Sequence, residues 1–299
     1  MSRQENRAMN IRQKWWLAIR PKTLPAAASG VVMGSALAWM DYSFQMLPAF
    51  AALCVALLLQ IGSNVANDVY DFERGADTSE RHGPLRVTQA GLLTPAQMKR
   101  GMWIIFGLAA LIGLYLAFLR GWLVIVLGLA AIISAIAYSG GPFPLGYHAL
   151  GDLFVFIFFG VMGVTGTYYV QSGSVSPAAW WMSVPVGLMI TDILVVNNLR
   201  DLENDRAAGK RTLAVLLGEG WTRIQYVVFM AVSFMLMPVL IWRGILPLST
   251  LLAWLSLPLA WTSTRSVLTQ CGRPLNAALA MTGQTVLAFS LLVFIGILL

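Results

Sequence analysis

Charge is scarce in this chain. Only 11% of its 299 residues are Asp, Glu, Lys or Arg, whereas a soluble domain carries about a quarter. That shortage excludes a water-exposed globular fold, because too few charges remain to cover its surface. Cysteine is nearly absent as well. Of the two, Cys54 lies inside an apolar run and Cys271 in a polar loop, which excludes a disulfide framework and leaves reduced thiols. The two histidines, His82 and His148, fall in separate loops, so a histidine-built metal centre is excluded too. Strand-like alternation of polar and apolar residues is missing, which leaves helices as the way to satisfy backbone groups in hydrocarbon.

What is present is hydrophobic: 58% of residues are apolar and the mean hydropathy is +0.72. Apolar runs of roughly 18 residues or more are long enough to cross a bilayer as helices. They recur at about 23–41, 46–66, 101–119, 122–139, 152–171, 177–198, 222–242, 246–264 and 277–298. The expected fold class is an all-α integral membrane protein of nine transmembrane helices set among membrane lipids. Eighteen of the 20 basic residues lie in alternate loops that begin with the N-terminal segment 1–22, leaving only Arg120 and Arg243 on the opposite side. The positive-inside rule then puts the N-terminus in the cytoplasm and the C-terminus outside, in a bacterial inner or plasma membrane. The same asymmetry accounts for the net charge of +7, so no nucleic-acid partner is implied. The first span has the basic flank and small-residue end (Ala36, Ala38) of a signal peptide, but it reads better as a retained span.

Charged groups at a membrane rim are costly and usually mark a site. Of the 13 acidic residues, five lie between Asp68 and Glu80 in "NVANDVYDFERGADTSE" and three between Asp201 and Asp205 in "NNLRDLENDRAAGKRTLAV". Asn64, Asp68 and Asp71 are spaced i, i+4, i+7, and Asn197, Asp201 and Asp205 are spaced i, i+4, i+8. On a helix each trio occupies one face. The trios close the second and sixth spans, which points to an internal repeat within a single domain of residues 1–299. Two carboxylate faces at one rim repel each other unless a cation lies between them. An oxygen-only donor set suits a hard ion such as Mg²⁺, which keeps coordination positions for water and phosphate. Arg81 and Arg86 follow the first motif, and Lys210 and Arg211 the second, as a phosphate-rich ligand requires. Asp and Asn also cap helices, so one such cluster would read as structural. Two matched clusters, each followed by cations, read as a metal–phosphate site.

These two motifs resemble the aspartate-rich motifs of the UbiA superfamily of membrane prenyltransferases. The flanks "RPKTLPA" (20–26), "GPLRVTQAGLLT" (83–94) and "YSGGPFPLGYHALGD" (138–152) are similar to its naphthoate branch, which serves menaquinone biosynthesis. The resemblance implies a ring of nine helices around a central cavity, with a lateral opening for a polyprenyl tail. It implies Mg²⁺ as cofactor, with polyprenyl diphosphate and 1,4-dihydroxy-2-naphthoate as substrates. Carried over by residue, it makes Asn64, Asp68, Asp71, Asn197, Asp201 and Asp205 metal ligands, with Asp68 and Asp201 essential to catalysis. Arg86 and Lys210 match cations that bind the diphosphate, Lys22 and Arg81 are expected helpers, and Tyr138 matches a tyrosine near the reacting allylic carbon. Members that use 4-hydroxybenzoate commonly carry a lysine four residues after that tyrosine. Here the position is Pro142, which favours the naphthoate branch. A third aspartate of the first motif falls on Gly75, with Asp77 displaced by two.

Asp192 lies within the sixth span, nine residues before Asp201. It reads either as a hydrogen-bonded packing residue or as a catalytic base or anchor for a ring hydroxyl. Asp152 reads as a helix start or a substrate contact. A transporter is the rival class, but midplane acids mark transporters and only Asp192 is deep. A CDP-alcohol phosphotransferase would need a tighter D-x-x-D-G-x-x-A-R signature. Other acceptors, homogentisate or 4-hydroxybenzoate, remain alternatives within the superfamily.

Overall fold

The computed structural model describes residues 9–76 and 83–299, and they are helical with no named strand. The opening helix α1 (Ile11–Ile19) starts at a reciprocal cap: Gln13 N–H donates to Asn10 Oδ1 and Asn10 N–H to Gln13 Oε1, both at 2.9 Å. The main elements that follow are α2 (Leu24–Met40), α3 (Met46–Glu73), α4 (Pro95–Arg120), α5 (Trp122–Ala137) and α6 (Gly151–Ser172). The second half comprises α7 (Pro177–Arg200), the short α8 (Leu202–Ala207), α9 (Leu213–Trp242), α10 (Leu257–Thr269) and α11 (Leu275–Leu298).

Among the described residues, seven helices are long and apolar enough to cross a membrane, α1 and α2 counting together as Ile11–Met40. The other two expected spans differ. Gly121, at φ 88°, separates α5 from α4, and α5 ends at Ala137 after 16 residues. The eighth is a 3-10 segment, Leu248–Ser256, that runs into α10. Phe118, Trp122, Met235, Trp242 and Trp261 are all largely exposed, an apolar exterior suited to lipid rather than water.

Close backbone approaches hold the interior together. From Phe156 to Gly166, α6 is a π-helix, a wide and uncommon winding often found beside functional sites. Its Gly160 backs onto Gly187 of α7, where a Cβ would stand 2.3 Å from the Gly187 Cα. On its other side Gly34 of α2 faces Val164, and a Cβ there would stand 2.5 Å from the carbonyl oxygen. Glycine lets helices pack at backbone distance where hydrophobic burial gives little gain. Gly160→Ala sets a methyl against backbone that cannot swing aside, and it is expected to cost about 1–3 kcal/mol. A thermal-unfolding midpoint in detergent that stays at the wild-type value would refute the close-packing account.

α5 packs mainly on α3 and α4, whereas α6 packs on α2 and α7. Between these helices lies a cavity of about 490 Å³. Its walls are apolar along most of their length, and polar side chains gather where α3 and α7 end. Leu114 and Leu129, both exposed, are among its lining residues.

Candidate active site

Both acidic motifs sit at the C-terminal ends of their helices, and turns bring the two ends together. The first trio lies on one face of α3, as its spacing requires. The second straddles a break: Asp201 (φ −97°, ψ 7°) ends α7 and precedes α8. Helical pairing still bridges the break, with Asp201 N–H donating to Asn197 O at 3.2 Å and Asp205 N–H to Asp201 O at 2.8 Å. All three residues line one cavity despite the kink.

Lys210 links the motifs. Its Nζ lies 3.5 Å from Asp71 Oδ2 and 3.7 Å from Asp205 Oδ1. Arg86 donates to the same Asp71 oxygen at 2.9 Å, and Tyr147 donates its hydroxyl to Asp71 Oδ1 at 2.9 Å. The Tyr147 ring also carries the Lys210 ammonium, 4.7 Å from its centroid, a cation–π contact. Two loops reach this point by separate tethers. Arg211 N–H donates to Tyr147 O at 3.0 Å. Arg74 Nε donates to Ser139 O at 2.9 Å and its Nη2 to Gly141 O, drawing the 138–151 loop onto the end of α3.

Asp68 faces elsewhere. Its two oxygens accept the backbone N–H groups of Val87 and Thr88, each at 3.0 Å, and Arg20 Nη2 stands 3.6 Å away. It is 1% exposed and lies outside the cavity lining. By pinning Val87 and Thr88 it fixes the loop that delivers Arg86. Asn64 lines the cavity and donates to Ile19 O and Thr23 Oγ1, both at 2.9 Å. Asp201 also lines it and is gripped by Arg200 from Nε at 3.0 Å and Nη2 at 2.6 Å. The same guanidinium donates to Asn197 Oδ1 at 2.8 Å and to Asn276 Oδ1 at 2.9 Å.

The remaining sequence candidates divide. Tyr138 lines the cavity just beyond α5, its ring held against Gly146 and Gly151, where a Cβ on Gly151 would stand 2.9 Å from its hydroxyl. Lys22 is exposed and outside the cavity lining. The cation at that turn which lines the cavity is Arg20, held in the left-handed region at φ 53°. Such a backbone costs a non-glycine residue free energy and tends to persist at functional sites. Asp192 is fully buried outside the cavity lining, neither carboxylate oxygen has a hydrogen-bond partner among the described residues, and its electrostatic neighbours are Asp152 and Tyr226. Asp152 itself accepts from Gln225 Nε2 of α9 at 2.7 Å. Asp77, Arg81 and His82 lie outside the described residues.

No three His, Cys, Asp or Glu side chains come together among the described residues as a metal cluster. The donor set nevertheless fits Mg²⁺. Asp71 and Asp205 already converge on one cation, the Lys210 ammonium. A hard ion with only two protein carboxylates completes its octahedron with water and phosphate oxygens.

The chain matches the UbiA prenyltransferase family over residues 27–279. It is 44% identical over 215 residues to the 1,4-dihydroxy-2-naphthoate octaprenyltransferase of Escherichia coli (strain K12), covering 69% of each chain. The enzyme of the same name from Bacillus subtilis (strain 168) is 30% identical over 296 residues, 95% of this chain and 91% of that one. In structure the chain is similar to a UbiA homolog from Archaeoglobus fulgidus bound to GPP and Mg²⁺, with a TM-score of 0.63 at 15% identity, covering 96% of this chain and 100% of that one. A UbiA homolog from Aeropyrum pernix K1 gives 0.66 at 16% identity, covering 97% and 98%.

Proposed function

The chain belongs to the UbiA prenyltransferase family, and we propose that it transfers a polyprenyl group from an allylic polyprenyl diphosphate to 1,4-dihydroxy-2-naphthoate. CO₂ and diphosphate leave, and the product is a demethylmenaquinol for menaquinone biosynthesis. The observation that carries this reading is the meeting of Asp71, Asp205, Arg86 and Lys210 at the polar end of an apolar cavity. Such a cavity accepts a molecule that is diphosphate at one end and hydrocarbon at the other. The acceptor follows from the relatives named above.

The chemistry is governed by charge. Arg86 and Lys210 stand where a departing diphosphate gathers negative charge, and fixed cations in a site of low dielectric favour that departure. Asp71 and Asp205 would hold Mg²⁺, with Asn64, Asn197 and Asp201 also lining the cavity and Asp68 outside it as support. When bound, Mg²⁺ supplies further positive charge against the diphosphate oxygens. The allylic C–O bond breaks with its electron pair on the diphosphate. Tyr138 offers an aromatic face to the resulting cation, and the apolar walls exclude water. The electron-rich ring forms the new C–C bond at the carbon bearing its carboxylate, and loss of CO₂ restores aromaticity.

The wider arrangement belongs to the same reading: nine spans in a ring, residues 1–299 as one domain with an internal repeat, and the N-terminus and site on the cytoplasmic side of a bacterial membrane. It is supported by the loop distribution of basic residues and by the apolar exterior. Purified protein in detergent, given Mg²⁺, an allylic diphosphate and dihydroxynaphthoate, is expected to yield the prenylated naphthoquinone. Prenylation of 4-hydroxybenzoate or homogentisate instead would overturn the acceptor assignment.

A further inference from the structure

Tyr147 lies in a loop rich in glycine and proline, "GGPFPLGYHALGD", and touches both halves of the site. Its hydroxyl donates to Asp71 Oδ1 at 2.9 Å, its ring carries Lys210 Nζ at 4.7 Å, and its carbonyl accepts Arg211 N–H at 3.0 Å. One residue thus orients a carboxylate of the first motif and docks the cation that follows the second. We propose that Tyr147 is a positioning residue of the transfer reaction. Through its hydroxyl it fixes the metal-binding orientation of Asp71, and through its ring it holds Lys210 ready for the diphosphate. The inference rests on the reading of Asp71 as a metal ligand.

The hydroxyl and the ring do separable work. A hydrogen bond to Oδ1 stops the group rotating and keeps Oδ2 turned towards Arg86 and Lys210, the side on which the ion would be held, as outer-shell partners of metal ligands do. The ring face gives a flexible lysine a fixed and partly dehydrated seat. Removing only the hydroxyl should therefore weaken metal binding and leave diphosphate binding intact. Removing the ring should weaken both.

The test uses the full chain in detergent with two probes: Mn²⁺ titrated by electron paramagnetic resonance, and inorganic diphosphate titrated by calorimetry at saturating Mn²⁺. Tyr147→Phe is expected to lose Mn²⁺ affinity by roughly 10- to 100-fold while diphosphate affinity stays within about twofold of wild type. Tyr147→Leu is expected to lose diphosphate affinity as well, by roughly tenfold or more. Asp71→Asn, measured in parallel, separates two failures. If Asp71→Asn loses Mn²⁺ and Tyr147→Phe does not, the inference about Tyr147 falls and the metal site stands. If neither loses Mn²⁺, the assignment of the metal to Asp71 falls with it. Unchanged diphosphate affinity in Tyr147→Leu would remove the role of the ring.

Discussion

Asp71→Asn is expected to lower prenyl transfer by roughly 10²- to 10³-fold, the scale seen when one electrostatic stabiliser of a developing anion is removed, while the protein stays folded. Asp71 is a shared anchor of the site. Arg86, Tyr147 and Lys210 all reach it, and it is 3% exposed. An amide keeps the shape and one acceptor oxygen but carries no charge to hold a divalent ion. Arg86 and Lys210 would then face each other without their shared anion, and diphosphate would bind to a site lacking its metal. Folding should survive because the loop carrying Arg86 is anchored independently, by Asp68 through Val87 and Thr88. Single-turnover prenylation with a matched thermal melt separates the two quantities. Activity above about a tenth of wild type would mean that Asp71 neither holds the metal nor steadies the cations.

Most of the architecture was legible in the apolar runs, because a helix in lipid must be long, hydrophobic and internally bonded. Two of the expected spans are shorter or less regular than a full crossing helix. The helix from Trp122 stops at Ala137 after 16 residues, and a 3-10 segment at Leu248–Ser256 interrupts another run. The motifs were legible through their spacing, and Asp71, Asp205, Arg86 and Lys210 do meet. Side-chain direction was not legible. Asp68 and Asp71 are three residues apart on one helix face, yet one caps a loop and the other faces the cavity. Which of them receives Val87 and Thr88 depends on how residues 83–94 fold back, and no periodicity encodes that. Tyr147, Arg20 and Arg200 were missed for the same reason. Arg20 offered a partial signal: a basic residue directly before Pro21, at the junction of two helices, is a natural place for an unusual backbone.

The division of labour between Asp68 and Asp71 gives the second large effect. Asp68→Ala is expected to destabilise the protein by about 3–5 kcal/mol, the range for removing one partner of a buried, hydrogen-bonded charge. The Val87 and Thr88 N–H groups would lose their acceptor, and Arg20 would lose the carboxylate 3.6 Å from its Nη2. Water has little access, since Asp68, Val87 and Thr88 are all buried, so these groups pay close to the full cost of going unpaired. The loop from residue 83 to 94 would loosen and Arg86 would drift from Asp71, raising the apparent KM for the diphosphate substrate. Asp68→Asn retains one acceptor oxygen but turns an N–H₂ towards a second N–H, so it should fall between alanine and wild type. The order expected in a detergent melt is wild type above Asp71→Asn, then Asp68→Asn, then Asp68→Ala, whereas Mn²⁺ affinity should suffer most in Asp71→Asn. Wild-type stability in Asp68→Ala together with lost Mn²⁺ binding would reverse the assignment, making Asp68 a direct ligand that turns into the cavity when the ion arrives.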